Sequence, residues 1–218
     1  MTTTQHPHDD IIISYLGLRK FIGVLGLGLP FVLIAGNLLI GRDGQRGLQP
    51  SISDYYYTVM EGVFVGALCA IAAFLFSYRG YDWRDRVAGL IAGAAALLVA
   101  WFPTTPDADK ATEITGVGIV HFTAAGVFFF TLAYFCLYLF TRTRSIATMS
   151  PRKRTRNRIY RICGWTIVGA FVALAVYFVF FKTTALTDLK PVLWLEIAMI
   201  VPFGISWLVK GEFILRDE

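Results

Sequence analysis

The sequence predicts an all-α integral membrane protein, a bundle of six transmembrane helices forming a single membrane domain. Three observations carry that expectation. The 218 residues are 56% hydrophobic and only 16% charged, against ~45–50% and ~25% in an ordinary soluble domain. The mean hydropathy is +0.60. The apolar residues are also gathered into long blocks, with no strand-like alternation that would suggest a β-barrel.

A helix needs about 20 apolar residues to cross the hydrocarbon core. It also satisfies its own backbone N–H and C=O groups where no water is present to do so. Six blocks qualify in chain order: 21–41, 57–78, 87–102, 115–140, 162–181 and 191–209. The first holds Gly23, Gly26, Gly28 and Pro30. The second carries one acid, Glu61. The third is short and uncharged, and its Gly89 and Gly93 allow close approach of a neighbouring helix. The fourth contains His121, the fifth is uncharged, and the sixth contains Glu196. Ahead of the first block, Ile11–Leu16 precedes Arg19 and Lys20 and is expected to lie along the membrane surface. The N-terminus lacks the basic and apolar stretches of a cleaved signal, so the first span is expected to be retained.

Orientation follows from arginine and lysine in the short loops. The segment 141–161 holds Arg142, Arg144, Arg152, Lys153, Arg154, Arg156, Arg158 and Arg161 and no acid, which predicts a cytoplasmic loop. Arg79, Arg84 and Arg86 fall on the same side. The loop with Asp107, Asp109 and Glu113 falls on the other; Arg42 and Arg46, also outside, are the exception. Both termini are then cytoplasmic, and the short loops and +5 charge fit a bacterial inner membrane. The basic run lacks interleaved aromatics that would stack on bases, so membrane lipids rather than nucleic acid are the expected partner. A homo-oligomer stays open. Tyr55, Tyr56, Tyr57, Trp101, Trp194 and Trp207 stand at span ends, as amphipathic rings do at an interface. Cys69, Cys136 and Cys163 fall inside apolar blocks and read as packing residues rather than a disulfide framework.

Ionisable groups inside a bilayer cost several kcal/mol and each calls for a role. Glu61, His121 and Glu196 all fall in the outer third of their spans, joined by Asn37. Four readings of this set stand side by side: a structural hydrogen-bonded set, a site for a substrate or lipid head group, a metal site with Asp54 as fourth ligand, or a proton relay. In a catalytic version His121 is the acid–base, paired with Glu61 or Glu196. One histidine makes a poor zinc signature, so no metal or cofactor is expected. The outer loops would roof the site, with Ser51, Ser53, Asp54, Tyr55 and Tyr57 from one and Thr104, Thr105, Asp107 and Asp109 from the other. Trp101 and Asn37 would complete a ligand-binding rim. Asp54 also suits an N-cap of the second helix. Lys210, at the cytoplasmic end of the sixth span, is placed to snorkel, which argues against a retinal-type Schiff base.

The six-span layout and the run Ile52-Ser53-Asp54 after the first span resemble the DRAM, Frag and Sfk group of membrane proteins and related bacterial families of unknown function. The run covers a few residues and the layout most of the chain. The resemblance implies a part in lipid remodelling or membrane homeostasis and points to Ser53 and Asp54. The alkaline ceramidase and adiponectin-receptor membrane hydrolases resemble this chain less. They use several histidines and an aspartate around zinc, and this chain lacks the paired late histidines.

The resulting expectation is an outward-facing polar pocket that engages a lipid head group or small amphiphile. A membrane hydrolase or transferase is the alternative, and a structural subunit without a ligand is the third reading.

Overall fold

In the computed structural model, residues 7–106, 108, 114–143, 149–182 and 184–215 are described, with residues 7–14 as backbone only. Among them are six α-helices and no strand: α1 Pro7–Ile40, α2 Glu61–Ser77, α3 Trp83–Trp101, α4 Gly116–Tyr134, α5 Pro151–Phe180 and α6 Pro191–Lys210. Four are long and apolar enough to cross a membrane: 15–40 of α1, α4 with its continuation to Leu139, α5 and α6. α2 is apolar but has 17 residues. α3 opens on the charged run Arg84-Asp85-Arg86.

Several boundaries differ from the sequence expectation. Ile11–Leu16 is no separate surface element, because α1 runs unbroken from Pro7. The three tyrosines do not start the second span. Tyr55–Tyr57 belong to a 3₁₀ turn, Ser53–Tyr57, and α2 starts later, at Glu61. Nor does Asp54 cap α2, whose cap position is Met60. α3 begins at Trp83, where Asp82 and Asp85 form a reciprocal capping box. α4 gives way to a π-helical turn, Phe135–Leu139. α5 starts eleven residues early: Ser150 caps it by accepting from the Lys153 N–H and Pro151 occupies its first turn. Much of the arginine-rich segment is therefore helix.

Each helix packs on its chain neighbours, and α6 returns to α1, closing a ring. Contacts at the two ends show that neighbours run antiparallel. At one end, Tyr15 of α1 donates to the Arg79 carbonyl after α2, and Arg19 of α1 donates to the Lys210 carbonyl at the end of α6 (3.4 Å). Arg142, after α4, pairs with Asp82 (2.6 Å) and with Asp85 at the start of α3. At the opposite end the Leu193 N–H of α6 donates to the Pro50 carbonyl (3.0 Å).

Small residues set the closest approaches. A Cβ at Gly204 of α6 would lie 2.4 Å from the Leu27 backbone nitrogen of α1, and one at Gly89 of α3 would lie 2.6 Å from the Leu75 carbonyl oxygen of α2. The outer surface is apolar: Val24, Phe31, Phe130, Val172 and Phe180 are all exposed. Such a surface suits hydrocarbon rather than water.

At the arginine-rich end, two side chains expected at the interface are instead interior. Trp207 is fully buried, ringed by Tyr78 (centroids 4.9 Å), Phe140 (5.2 Å) and Phe135 (5.6 Å). Lys210 does not snorkel outward: it is buried, with Nζ 4.7 Å from the Tyr81 ring centroid and 5.3 Å from that of Phe140. Cys136 and Cys163 are free and buried, and Cys69 is free and partly exposed.

Candidate functional site

The candidate site lies where the 3₁₀ turn Ser53–Tyr57 drops between the starts of α4 and α6. Ser51 holds that turn by donating from its hydroxyl to Asp54 Oδ2 (2.6 Å) and accepting from the Asp54 N–H (2.9 Å). The local serine–aspartate pairing replaces the missing ladder of regular structure, as such side chains do in turns. It leaves the Ile52 N–H pointing at α6, where it donates to Glu196 Oε2 at 2.5 Å. Ser53 and Asp54 lie beside that carboxyl.

On the other flank, Ser53 Oγ lies 3.0 Å from His121 Nε2 of α4. The other ring nitrogen, Nδ1, lies 2.7 Å from the Phe102 carbonyl oxygen at the end of α3. A carbonyl oxygen can only accept, so Nδ1 carries the proton. Nε2 is then the free base, and Ser53 donates to it. His121 is 2% exposed. Adjacent residues of the turn thus join the two helices, the Ser53 hydroxyl to α4 and the Ile52 N–H to α6.

Beside this node a cavity of about 390 Å³ opens between α4, α5 and α6. Ala125, Phe129, Phe171 and Leu174 are among its apolar walls; His121, Glu196 and Lys182 are its polar groups. Its size falls within the ~300–1,000 Å³ of small-molecule sites. Glu196 also borders two smaller cavities, one shared with Ser53 and one with Asp54. It is partly exposed, into these spaces.

The expected set is only partly assembled. His121, Ser53 and Glu196 come together, with Asp54 behind them. Glu61 does not join. It is exposed on the first turn of α2, where a carboxylate complements the helix dipole. Asn37 is buried but serves the loop after α1, donating from Nδ2 to the Gln45 and Gly47 carbonyls at 2.9 Å each. Tyr55 is fully buried core, and Trp101 is 61% exposed on the outer surface. Tyr57 donates to the Thr104 carbonyl (2.6 Å) and ties the α1–α2 and α3–α4 loops together. Thr105 meets Thr115 at 3.2 Å, closing the α3–α4 connection. Asp107, Asp109, Glu113 and Arg144 lie outside the described residues.

Both ring nitrogens of His121 are engaged, and among the described residues no three His, Cys, Asp or Glu side chains converge as a metal would require. The donor set does not fit the zinc reading.

Sequence reasoning also missed a polar cluster at the opposite end of the bundle. Asp85 of α3 is 1% exposed and ion-paired to Arg142. Its acid lies in a charged run that reads as loop, and the signal was the Asp82–Asp85 capping-box spacing.

No family model, curated protein or solved structure matches the chain.

Proposed function

We propose that this protein is a six-span membrane protein whose outward-facing site binds the head group and first chain segment of a lipid or single-chain amphiphile. The crossing of α2 and α3 is supported by their packing. They lie in the ring between α1 and α4, and their shared turn reaches the same end as Tyr15 and Arg142. At 1.5 Å per residue, the 17 and 19 residues of α2 and α3 extend about 26 and 28 Å. The arginine-rich end is the cytoplasmic one by the loop-charge rule. That rule places both termini inside, most simply in a bacterial inner membrane.

The observation that carries the ligand reading is the cavity between α4, α5 and α6. Its walls are apolar over most of their area, and its polar groups, His121, Glu196 and Lys182, are few. Such a lining matches a molecule with one polar end and one apolar chain. The resemblance carried by Ile52-Ser53-Asp54 to lipid-associated families is in keeping with it. The test is native mass spectrometry of the protein released from mild detergent. Wild type is expected to retain an amphiphile that His121→Ala loses. Equal retention by both proteins would refute the assignment.

One observation favours an enzymatic version, a membrane hydrolase or transferase. The Ser53 hydroxyl donates to an unprotonated His121 Nε2, the arrangement that activates a serine nucleophile. Ser53 Oγ would attack an ester carbonyl, pass its proton to His121 and release the alcohol, protonated in turn by His121. Water would then free the acid and regenerate the serine. Labelling by a fluorophosphonate, expected in wild type and absent in Ser53→Ala, tests this version; no labelling of wild type would remove it.

A further inference from the structure

At the arginine-rich end, a groove of about 750 Å³ runs along the outer face of α5. It is lined by Met149, Arg154, Asn157, Arg158, Arg161 and, deeper along the helix, Ile162, Trp165 and Thr166. Arg154, Arg158, Arg161 and Trp165 follow one another at spacings of four, three and four residues. At 3.6 residues per turn that places them on one stripe. The stripe is about 16 Å long at 1.5 Å per residue, with three guanidinium groups at one end and an indole at the other.

Three features distinguish this stripe from an ordinary solvated face. The three arginines are exposed, and among the described residues none of them forms an ion pair, whereas Arg142 and Arg156 do. The foot of the groove is apolar and outward-facing: Ile162 is 57% exposed and Trp165 65% exposed. In its wall, Asn157 is 6% exposed and donates from Nδ2 to the Thr141 carbonyl (3.2 Å). Its Oδ1 is buried and accepts from no described group.

We infer that this groove is a binding site for one anionic phospholipid of the cytoplasmic leaflet. Its phosphodiester is held by Arg154, Arg158 and Arg161, and its chains lie against Ile162 and Trp165. Guanidinium forks match phosphate oxygens in shape and charge. Trp165 falls at the depth where indoles settle, between head group and chain. The apolar foot favours a lipid over free phosphate, which would leave Ile162 and Trp165 unused. The site rests on α5 crossing the bilayer with its arginines inside. It is independent of the cavity beside His121, at the other end of the bundle.

The experiment titrates the full-length protein, in a neutral detergent, with mixed micelles of phosphatidylglycerol or phosphatidylcholine, with inorganic phosphate as a separate arm. Phosphatidylglycerol is expected to bind roughly tenfold tighter than phosphatidylcholine, as a few basic contacts to an anionic head group supply. Arg158→Gln with Arg161→Gln is expected to erase that preference. Arg79→Gln with Arg86→Gln removes two exposed arginines on the same side of the protein and is expected to keep it. Equal affinity for the two lipids, an unchanged preference in the α5 variant, or equal loss in the control pair would overturn the site. So would inorganic phosphate displacing the bound lipid.

Discussion

Ser53 illustrates what one side chain can couple. Its hydroxyl donates to a histidine on α4 while the neighbouring Ile52 N–H donates to a carboxyl on α6, so the site depends on residues from a loop turn. Replacing His121 by alanine strands the Ser53 hydroxyl and the Phe102 carbonyl in a buried setting. The expected loss is about 1–3 kcal/mol per unsatisfied group, measured by thermal unfolding in detergent. Asp82, outside the helices, gives a pH dependence. Desolvation raises its carboxyl pKa, but the Arg142 hydrogen bond and the Asp85 and Arg84 N–H groups outweigh that and hold it below the ordinary value of 3.8. Its contribution is then present above 3.8 and is lost as pH falls through the lower folded value. Asp82→Asn is expected to flatten stability against pH below about 4 and to leave the neutral range little changed apart from the lost Arg142 pair. A wild-type curve already flat there would contradict this. The scarcity of polar residues in apolar blocks made His121 and Glu196 legible in the sequence, while Ser53 was legible only as part of a loop expected to roof them. Glu61 was equally scarce, yet it faces out. Position along a span gives height, while each residue turns the helix by about 100°, and the direction of the side chain depends on packing the sequence does not state.

The helices show the same division. Apolar blocks located every one of them, and the Gly89–Gly93 spacing correctly marked α3 as closely approached, since α2 backbone lies within van der Waals distance of it. The ends were less legible. Tertiary contacts and caps, rather than hydropathy, decide that α5 begins at Ser150 and that the tyrosines form a 3₁₀ turn. Trp207 looked interfacial from its place near a span end, but the aromatic residues that surround it come from the residue after α2 and the π-helical turn after α4 with its C-cap, distant in sequence. Glycine substitutions test the element scale. Gly204→Ala forces a Cβ into the backbone of α1 and is expected to cost about 1–3 kcal/mol, as overpacking does. Gly28→Ala meets nothing within 4 Å and is expected to be neutral or stabilising by up to about 1 kcal/mol. Comparable melting temperatures for the two variants would contradict this packing. Gly126→Leu is the counterpart at the cavity. An added Cβ there meets only the Phe171 ring at 3.7 Å. The larger side chain should therefore occupy the open space, leave the fold intact and lower amphiphile retention.

For the molecule as a whole, antiparallel closure of α1 onto α6 brings loop 41–60 and the start of α6 together at one end. The cytoplasmic assignment of the other end has its own test. An impermeant maleimide is expected to label Gln45→Cys on intact cells and Thr155→Cys only after the membrane is opened; the reverse pattern would invert the topology. Fold class was legible from composition because hydrocarbon imposes one backbone solution on every span. The cavity was not legible, since it arises from the splay between α4, α5 and α6 and from no motif. Where a bound chain lies therefore tests the ligand site most directly. A single-chain amphiphile carrying a diazirine along its tail, photolysed on the purified protein and mapped by peptide mass spectrometry, reads this out. Adducts on Phe129, Phe171 and Leu174, reduced in Gly126→Leu, are the expected result. Adducts spread over outward-facing residues such as Val24 and Val172, and unaffected by that substitution, would contradict it.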